Sequence, residues 1–182
     1  MFNLTKLPPK EKFDSVTVLK QLLVTHKALA ELKGFSDVIP NKNILINAAM
    51  INEAKNSSEI ENIITTHDEL YKAMSGVKAT GPSKEVINYR RALWKGYEMV
   101  VENGFISTNM IIKIQSIIEN SDTGIRRVPG TVLMNEQTKE VVYTPPSSYE
   151  EIMDLMTNLE RYINGDDQVD DLIKLAVIHY QF

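Results

Sequence analysis

Few side chains in this sequence are spaced for chemistry. Ser57 and Glu61 stand out, in the stretch Asn56-Ser57-Ser58-Glu59-Ile60-Glu61-Asn62-Ile63. Four residues make about one helical turn, so the hydroxyl and the carboxylate share a face. Ile60, Ile63 and Ile64 then turn to the opposite, buried side. On spacing alone this pattern marks a helix start, in which Ser57 or Ser58 accepts from the first backbone N–H groups. The histidines His26, His67 and His179 form no metal spacing, and the chain has no cysteine to join them. His26 and His67 read as surface helix residues, and His179 as a satisfied core histidine on an apolar helix. Asp166-Asp167 and Asp170-Asp171 surround a helix start, where carboxylates oppose the positive end of the helix dipole. They lack the alternating oxygen ligands of a calcium loop, and no metal site is expected. GxGxxG, Walker and GxSxG sequences are absent. Taken alone, these residues describe no catalytic centre.

The elements that must position them are helical. Asp14 is the expected cap of a helix carrying Val18, Leu19, Leu22, Leu23, Leu29 and Leu32 and ending near Gly34. Beyond Pro40, residues 44–54 read as an apolar helix that the Asn-Ser-Ser run interrupts and then restarts. Thr66 and Glu69 have capping-box spacing and open a short helix through Leu70, Tyr71 and Met74. Residues 76–82 form a loop, and Ser83 caps a helix with Val86, Arg90, Leu93, Trp94, Tyr97, Val100 and Val101 at three-four spacing. Asn103-Gly104 stops it. Ser107 starts another, with Ile111, Ile114, Ile117 and Ile118 on its core side.

The pattern then switches. Residues 130–134 and 140–144 are β-favouring runs joined by the polar stretch 135–139, which predicts one β-hairpin. An isolated hairpin is marginal in water, so it either lies on the helical body or serves as an edge for something else. Ser147 with Glu150 opens a helix carrying Ile152, Leu155, Met156, Leu159, Tyr162 and Ile163, closed by Gly165. The last stretch, from Val169 to Phe182, leaves little polar face and reads as a central buried helix. Its abrupt end at Gln181-Phe182 gives the expectation of a fragment of a longer protein.

Composition narrows the function classes. With 182 residues, 43% hydrophobic and 24% charged, the chain suits one ordinary globular core. A formal net charge of −4 and a pI near 5.5 give no basic surplus for a phosphate backbone. Zero cysteines fit a reducing compartment. With no apolar leader and no membrane span, a cytoplasmic location is expected.

Several pieces, in order, resemble the Fic-domain family, which mostly transfers AMP from ATP onto protein hydroxyls. Leu7-Pro8-Pro9 resembles the opening of the family's N-terminal region. Ser57-Ser58-Glu59-Ile60-Glu61-Asn62 is similar to its inhibitory motif: a serine or threonine, three residues, then glutamate and glycine or asparagine. Glu85-Val86-Ile87-Asn88-Tyr89-Arg90-Arg91-Ala92-Leu93 resembles the helix opening the core. Arg126-Arg127-Val128-Pro129-Gly130-Thr131-Val132 and Val141-Val142-Tyr143-Thr144-Pro145-Pro146 resemble the hairpin called the flap. Leu175-Ala176-Val177-Ile178-His179-Tyr180-Gln181-Phe182 resembles the helix entering the catalytic loop.

The resemblance implies an all-α, Fic-type helical bundle with one β-hairpin, C-terminally truncated. Residues 1–80 would be the N-terminal region, with the inhibitory helix near 56–64. Residues 81–182 would be the first part of the core, with the flap near 130–144. The family signature, His-Pro-Phe-x-x-Gly-Asn-Gly-Arg and a second arginine, does not occur in the sequence. No catalytic residue is therefore expected in this chain, and no bound cofactor; ATP and Mg would belong to the parent protein. Ser57, Glu61 and Asn62 would be inhibitory, with Glu61 pairing with the second arginine and holding ATP unproductively. Val141, Val142, Tyr143 and Thr144 would position an extended target segment carrying a Ser, Thr or Tyr hydroxyl, with self-modification and a dimer both open. Nucleic acid and membrane are not expected partners. The alternatives are a non-catalytic helical protein-binding module, or a relative that removes AMP or transfers another phosphate-containing group.

Overall fold

Ser15, not Asp14, starts the first helix. Its hydroxyl accepts from the Val18 N–H at 3.4 Å and its carbonyl from the Leu19 N–H at 2.9 Å. The computed structural model describes residues 4–74 and 81–182. Among them are seven α-helices: α1 (Val16–Asp37), α2 (Lys42–Ile60), α3 (His67–Met74), α4 (Pro82–Asn103), α5 (Thr108–Glu119), α6 (Tyr149–Asn164) and α7 (Asp171–Gln181). One antiparallel pair, β1 (Leu133–Met134) and β2 (Val141–Tyr143), completes the all-α fold with its hairpin. No described helix is long and apolar enough to cross a membrane.

Several boundaries follow the sequence and others depart from it. Helix α1 runs through Gly34, because a lone glycine costs only about 1 kcal/mol in a helix. Helix α2 is continuous through Asn56-Ser57-Ser58, so neither serine is an N-cap. Asn and Ser disfavour a helix interior by a few tenths of a kcal/mol each. Burial of Ser58 and the Lys55–Glu59 pair at 3.1 Å offset that. The Thr66–Glu69 capping box forms in both directions: Thr66 N–H donates to Glu69 Oε2 at 2.8 Å and Glu69 N–H to Thr66 Oγ1 at 3.2 Å. Of the expected loop at 76–82, residues 76–80 lie outside the described set. Helix α4 starts at Pro82 after Gly81 rather than at a Ser83 cap, since proline has no N–H to satisfy in the first turn. Gly104 ends it in the left-handed region at φ 75. The cap of α6 is Ser148, accepting from Glu151 N–H at 3.1 Å, one residue beyond the expected Ser147–Glu150 box.

The residues group into two compact units: Met1–His26, Phe105–Thr108 and Ile125–Phe182 in one, and Lys27–Gly104 and Asn109–Gly124 in the other. The second centres on α2, α3 and α4, where Ile51, Ala54, Leu70 and Val86 are buried and Ile63, Ile87 and Tyr89 pack on them. There α4 comes close to α5 at Gly96, where a Cβ would meet Ile114 Cδ1 at 3.1 Å. Ile111, Ile114 and Ile117 of α5 are half-buried, but Ile118 is exposed.

The first unit centres on α6. Leu159 and Tyr162 bury Leu7 from the segment before α1, with Met156, Ile163, Val177 and Ile178 around them. Two asparagines of α6 bracket extended backbone with their side-chain amides. Asn158 does so at Leu7, and Asn164 at Ile106, accepting from its N–H at 2.9 Å and donating to its carbonyl at 2.6 Å. Glu160 takes both the N–H and the hydroxyl of Thr108, at 2.7 and 2.8 Å. These donors, the backbone N–H first, hold the Glu160 carboxyl below its usual range.

Helix α7 is not the central buried helix its composition suggests. Leu175 is 61% exposed and Tyr180 71% exposed. A helix apolar all round is buried only when neighbours cover every side, and here α6 and Leu7 cover one. Its one buried residue is Lys174, which donates to the Gly165 carbonyl, pairs with Asp167 at 3.4 Å and lies 5.1 Å from the Tyr162 ring centre. Burial first, and Asp167 second, push the Tyr162 hydroxyl above its ordinary range. Beside α7, the first turns of α1 and residues such as Phe13 leave an apolar groove of about 840 Å³.

Candidate functional site

The end of α2 carries the residues singled out by spacing. Glu61 is its C-cap and Asn62 follows at φ 64, in the left-handed region that asparagine tolerates best after glycine. Ile63 N–H donates to the Ser58 carbonyl at 2.9 Å, and Asn62 N–H to the Glu59 carbonyl at 3.1 Å. These two bonds form a Schellman motif, which satisfies carbonyls the helix end would otherwise leave open. Ile63, the residue beyond the left-handed one, seats against the Ile51–Leu70–Val86 cluster. The helix end is thus anchored by backbone hydrogen bonds and an apolar contact.

This arrangement leaves Glu61 exposed at the tip, and among the described residues no hydrogen bond or ion pair reaches its carboxylate. Ser57, one turn earlier, donates its hydroxyl to Glu53 Oε1 at 2.9 Å and not to Glu61. Glu53, Ser57 and Glu61 therefore form a stripe at i, i+4 and i+8. Ile60 and Ile64 are not on a buried side: they are 84% and 68% exposed. The buried stripe of α2 is Ile51, Ala54 and Ser58. Ile60, two residues past Ser58, lies about 200° around the helix from it.

The hairpin is short. Leu133 pairs with Tyr143 and Met134 with Val141, with a bulge between. Its turn is built on Asn135, whose Oδ1 accepts from Gln137 and Thr138 N–H at 2.9 and 3.1 Å, before Lys139 at φ 60. Val141, Val142 and Tyr143 lie in β2, and Thr144 falls just past it. Val141 and Val142 are 49% and 65% exposed, and the side of β2 away from β1 carries no strand among the described residues. Before the hairpin, Arg126 donates to the Pro146 carbonyl and Arg127 stands 4.7 Å from the Tyr149 ring centre.

The remaining candidates separate. His26 is on the surface and bonds Asp170 Oδ2 at 2.7 Å, while Asp170 also caps α7 through Leu172 N–H at 3.0 Å. His179 is exposed in the last turn of α7 rather than in a core. His67 is exposed at the start of α3. Among the described residues no three metal-ligating side chains come together. Sequence reasoning missed Glu53, the Asn158 and Asn164 clamps and the buried Lys174. A charged residue inside Leu172-Ile173-Lys174-Leu175 was a usable signal for the last; the asparagines left none. It also missed Arg90, whose guanidinium donates to Asn47 Oδ1 at 2.6 Å between α4 and α2.

Residues 19–98, which run from the first turn of α1 into α4, match the model of the Fic/DOC family N-terminal region. That stretch contains the whole of α2 with its Ser57–Asn62 end. Through this region the chain carries the N-terminal region of the Fic/DOC family.

Proposed function

We propose that the C-terminal end of α2 is the inhibitory element of a Fic-type protein adenylyltransferase, with Glu61 as the blocking carboxylate. The observation that supports this most is its setting. Glu61 stands exposed on a helix end fixed by the Schellman bonds, with no counter-charge among the described residues. A carboxylate so presented suits a bidentate arginine partner, a strong and directional pair. Asn62 serves as a positioning residue, because its left-handed backbone turns the chain away immediately after Glu61. Ser57 stiffens the last turn through Glu53.

In this reading β2 registers an extended target segment by added-strand hydrogen bonding, through residues 141–144. The transfer itself, with ATP and Mg, belongs to a protein in which the family signature follows this chain. The test is AMP incorporation from labelled ATP by the protein that includes the signature. Glu61→Gly should raise self-modification at least tenfold with nucleotide affinity little changed. Equal incorporation by both forms, with nucleotide bound equally well, overturns the assignment.

A second reading is a non-catalytic protein-binding module. It is favoured by the exposed apolar hairpin. A parent reading frame without the signature would decide for it.

A further inference from the structure

The segment ahead of α1 is held in the manner of a bound peptide. Leu7 is only 8% exposed, inserted between α6 and α7 against Leu159, Tyr162 and Val177. Its N–H donates to Asn158 Oδ1 at 2.7 Å and its carbonyl accepts from Asn158 Nδ2 at 2.9 Å. Gln181 Nε2 donates to the Thr5 carbonyl at 2.8 Å. Lys6 Nζ reaches the two oxygens of Asp154 at 2.9 and 2.7 Å. Every receiving group sits on α6 or α7, so the site is built without the segment it holds. The connection to α1 is loose: among the described residues, residues 8–14 make no hydrogen bond, and residues 10–15 are exposed with no helix or strand.

We propose that the α6–α7 surface is a peptide-recognition site for an extended Thr-Lys-Leu segment, filled in cis and open to exchange with the same segment of a second copy of this chain. Asn158 reads the backbone, the Leu159–Tyr162–Val177 pocket reads the leucine, and Asp154 reads the basic residue before it. One buried leucine with a few polar contacts belongs to weak peptide binding, with Kd on the order of 100 μM. A short flexible tether supplies an effective concentration on the order of 1 mM. The cis segment then fills the site about nine-tenths of the time, leaving roughly a tenth of molecules open. The site does not involve the Glu61 helix end and stands whether or not that end is inhibitory.

The test uses the full chain and a fluorescein-labelled peptide of residues 4–12, followed by anisotropy. The Leu7→Asp chain, whose own segment is released, should bind the peptide with Kd on the order of 100 μM. The wild-type chain should bind about tenfold more weakly because its own segment competes. The Leu7→Asp, Asn158→Ala double variant should lose at least a further tenfold relative to Leu7→Asp, and a peptide carrying Leu7→Asp should not bind. Absence of binding to a Leu7→Asp chain of native helix content overturns the proposal, as does equal binding of both peptides. If Leu7→Asp loses helix content, the wild-type chain decides: it must take up the wild-type peptide and reject the substituted one, and failure to do so overturns the proposal.

Discussion

At the scale of the residue, Asn62 shows how one backbone conformation fixes a candidate functional group. A Cβ costs about 1–2 kcal/mol in the left-handed region, where it crowds the following carbonyl; glycine escapes this and asparagine tolerates it best. Asn62→Gly should therefore leave stability nearly unchanged or slightly raised. Asn62→Val should lower it by about 1–2 kcal/mol, read from urea midpoints at constant m. Equal midpoints for both variants would show that the Schellman end of α2 is not held as described. The need for glycine or asparagine after Glu61 was legible as a motif. Its reason was not, because the φ of 64 arises from closing bonds to Ser58 and Glu59. Spacing likewise put Ser57 beside Glu61 and could not show that its hydroxyl goes to Glu53 instead.

At the scale of the element, α6 and α7 differ in what their apolar residues accomplish. Leu159 is 3% exposed inside the Leu7 cluster, while Leu175 is 61% exposed. Leu159→Ala should cost roughly 2–5 kcal/mol and Leu175→Ala within about 0.5 kcal/mol, measured by thermal or urea unfolding. Comparable losses from both would mean that the outer side of α7 is covered after all. Helix existence was legible throughout, since three-four spacing survives any packing. Helix burial was legible for α6, which carries one apolar stripe, and not for α7, which is apolar nearly all round and whose covered face only its neighbours in space decide. The restart expected inside α2 failed for a related reason. Weak local disfavour at Asn56-Ser57-Ser58 is outweighed when Ser58 docks on the core between α2 and α4.

At the scale of the whole molecule, carboxylates act as hydrogen-bond acceptors for backbone that the fold leaves open. Glu69 is held below its usual range first by Thr66 N–H, and Glu160 first by Thr108 N–H. Asp170 is held low first by the bond from His26 and then by Leu172 N–H. A carboxyl depressed in the folded state means that the unfolded chain binds protons first on acidification. The stability these groups contribute is complete above the ordinary carboxylate range, near pH 4–5, and is lost as pH falls through the lower native values. Urea midpoints should therefore fall between pH 5 and pH 3. Glu160→Gln should flatten that fall, and an unchanged pH dependence in that variant would remove Glu160 from the set.

By itself the sequence determined the helical class, the single hairpin and the Thr66–Glu69 capping box, because each follows from contacts within a few residues. It also carried the family resemblance that the match over residues 19–98 bears out. The tertiary structure alone decided that α2 runs unbroken to Glu61 and that α7 is covered on one side only. It also decided that residues 5–7 lie as a peptide on α6 and α7. All three depend on partners outside the local stretch, the last on ones more than a hundred residues away, such as Asn158 for Leu7, and no local pattern encodes them.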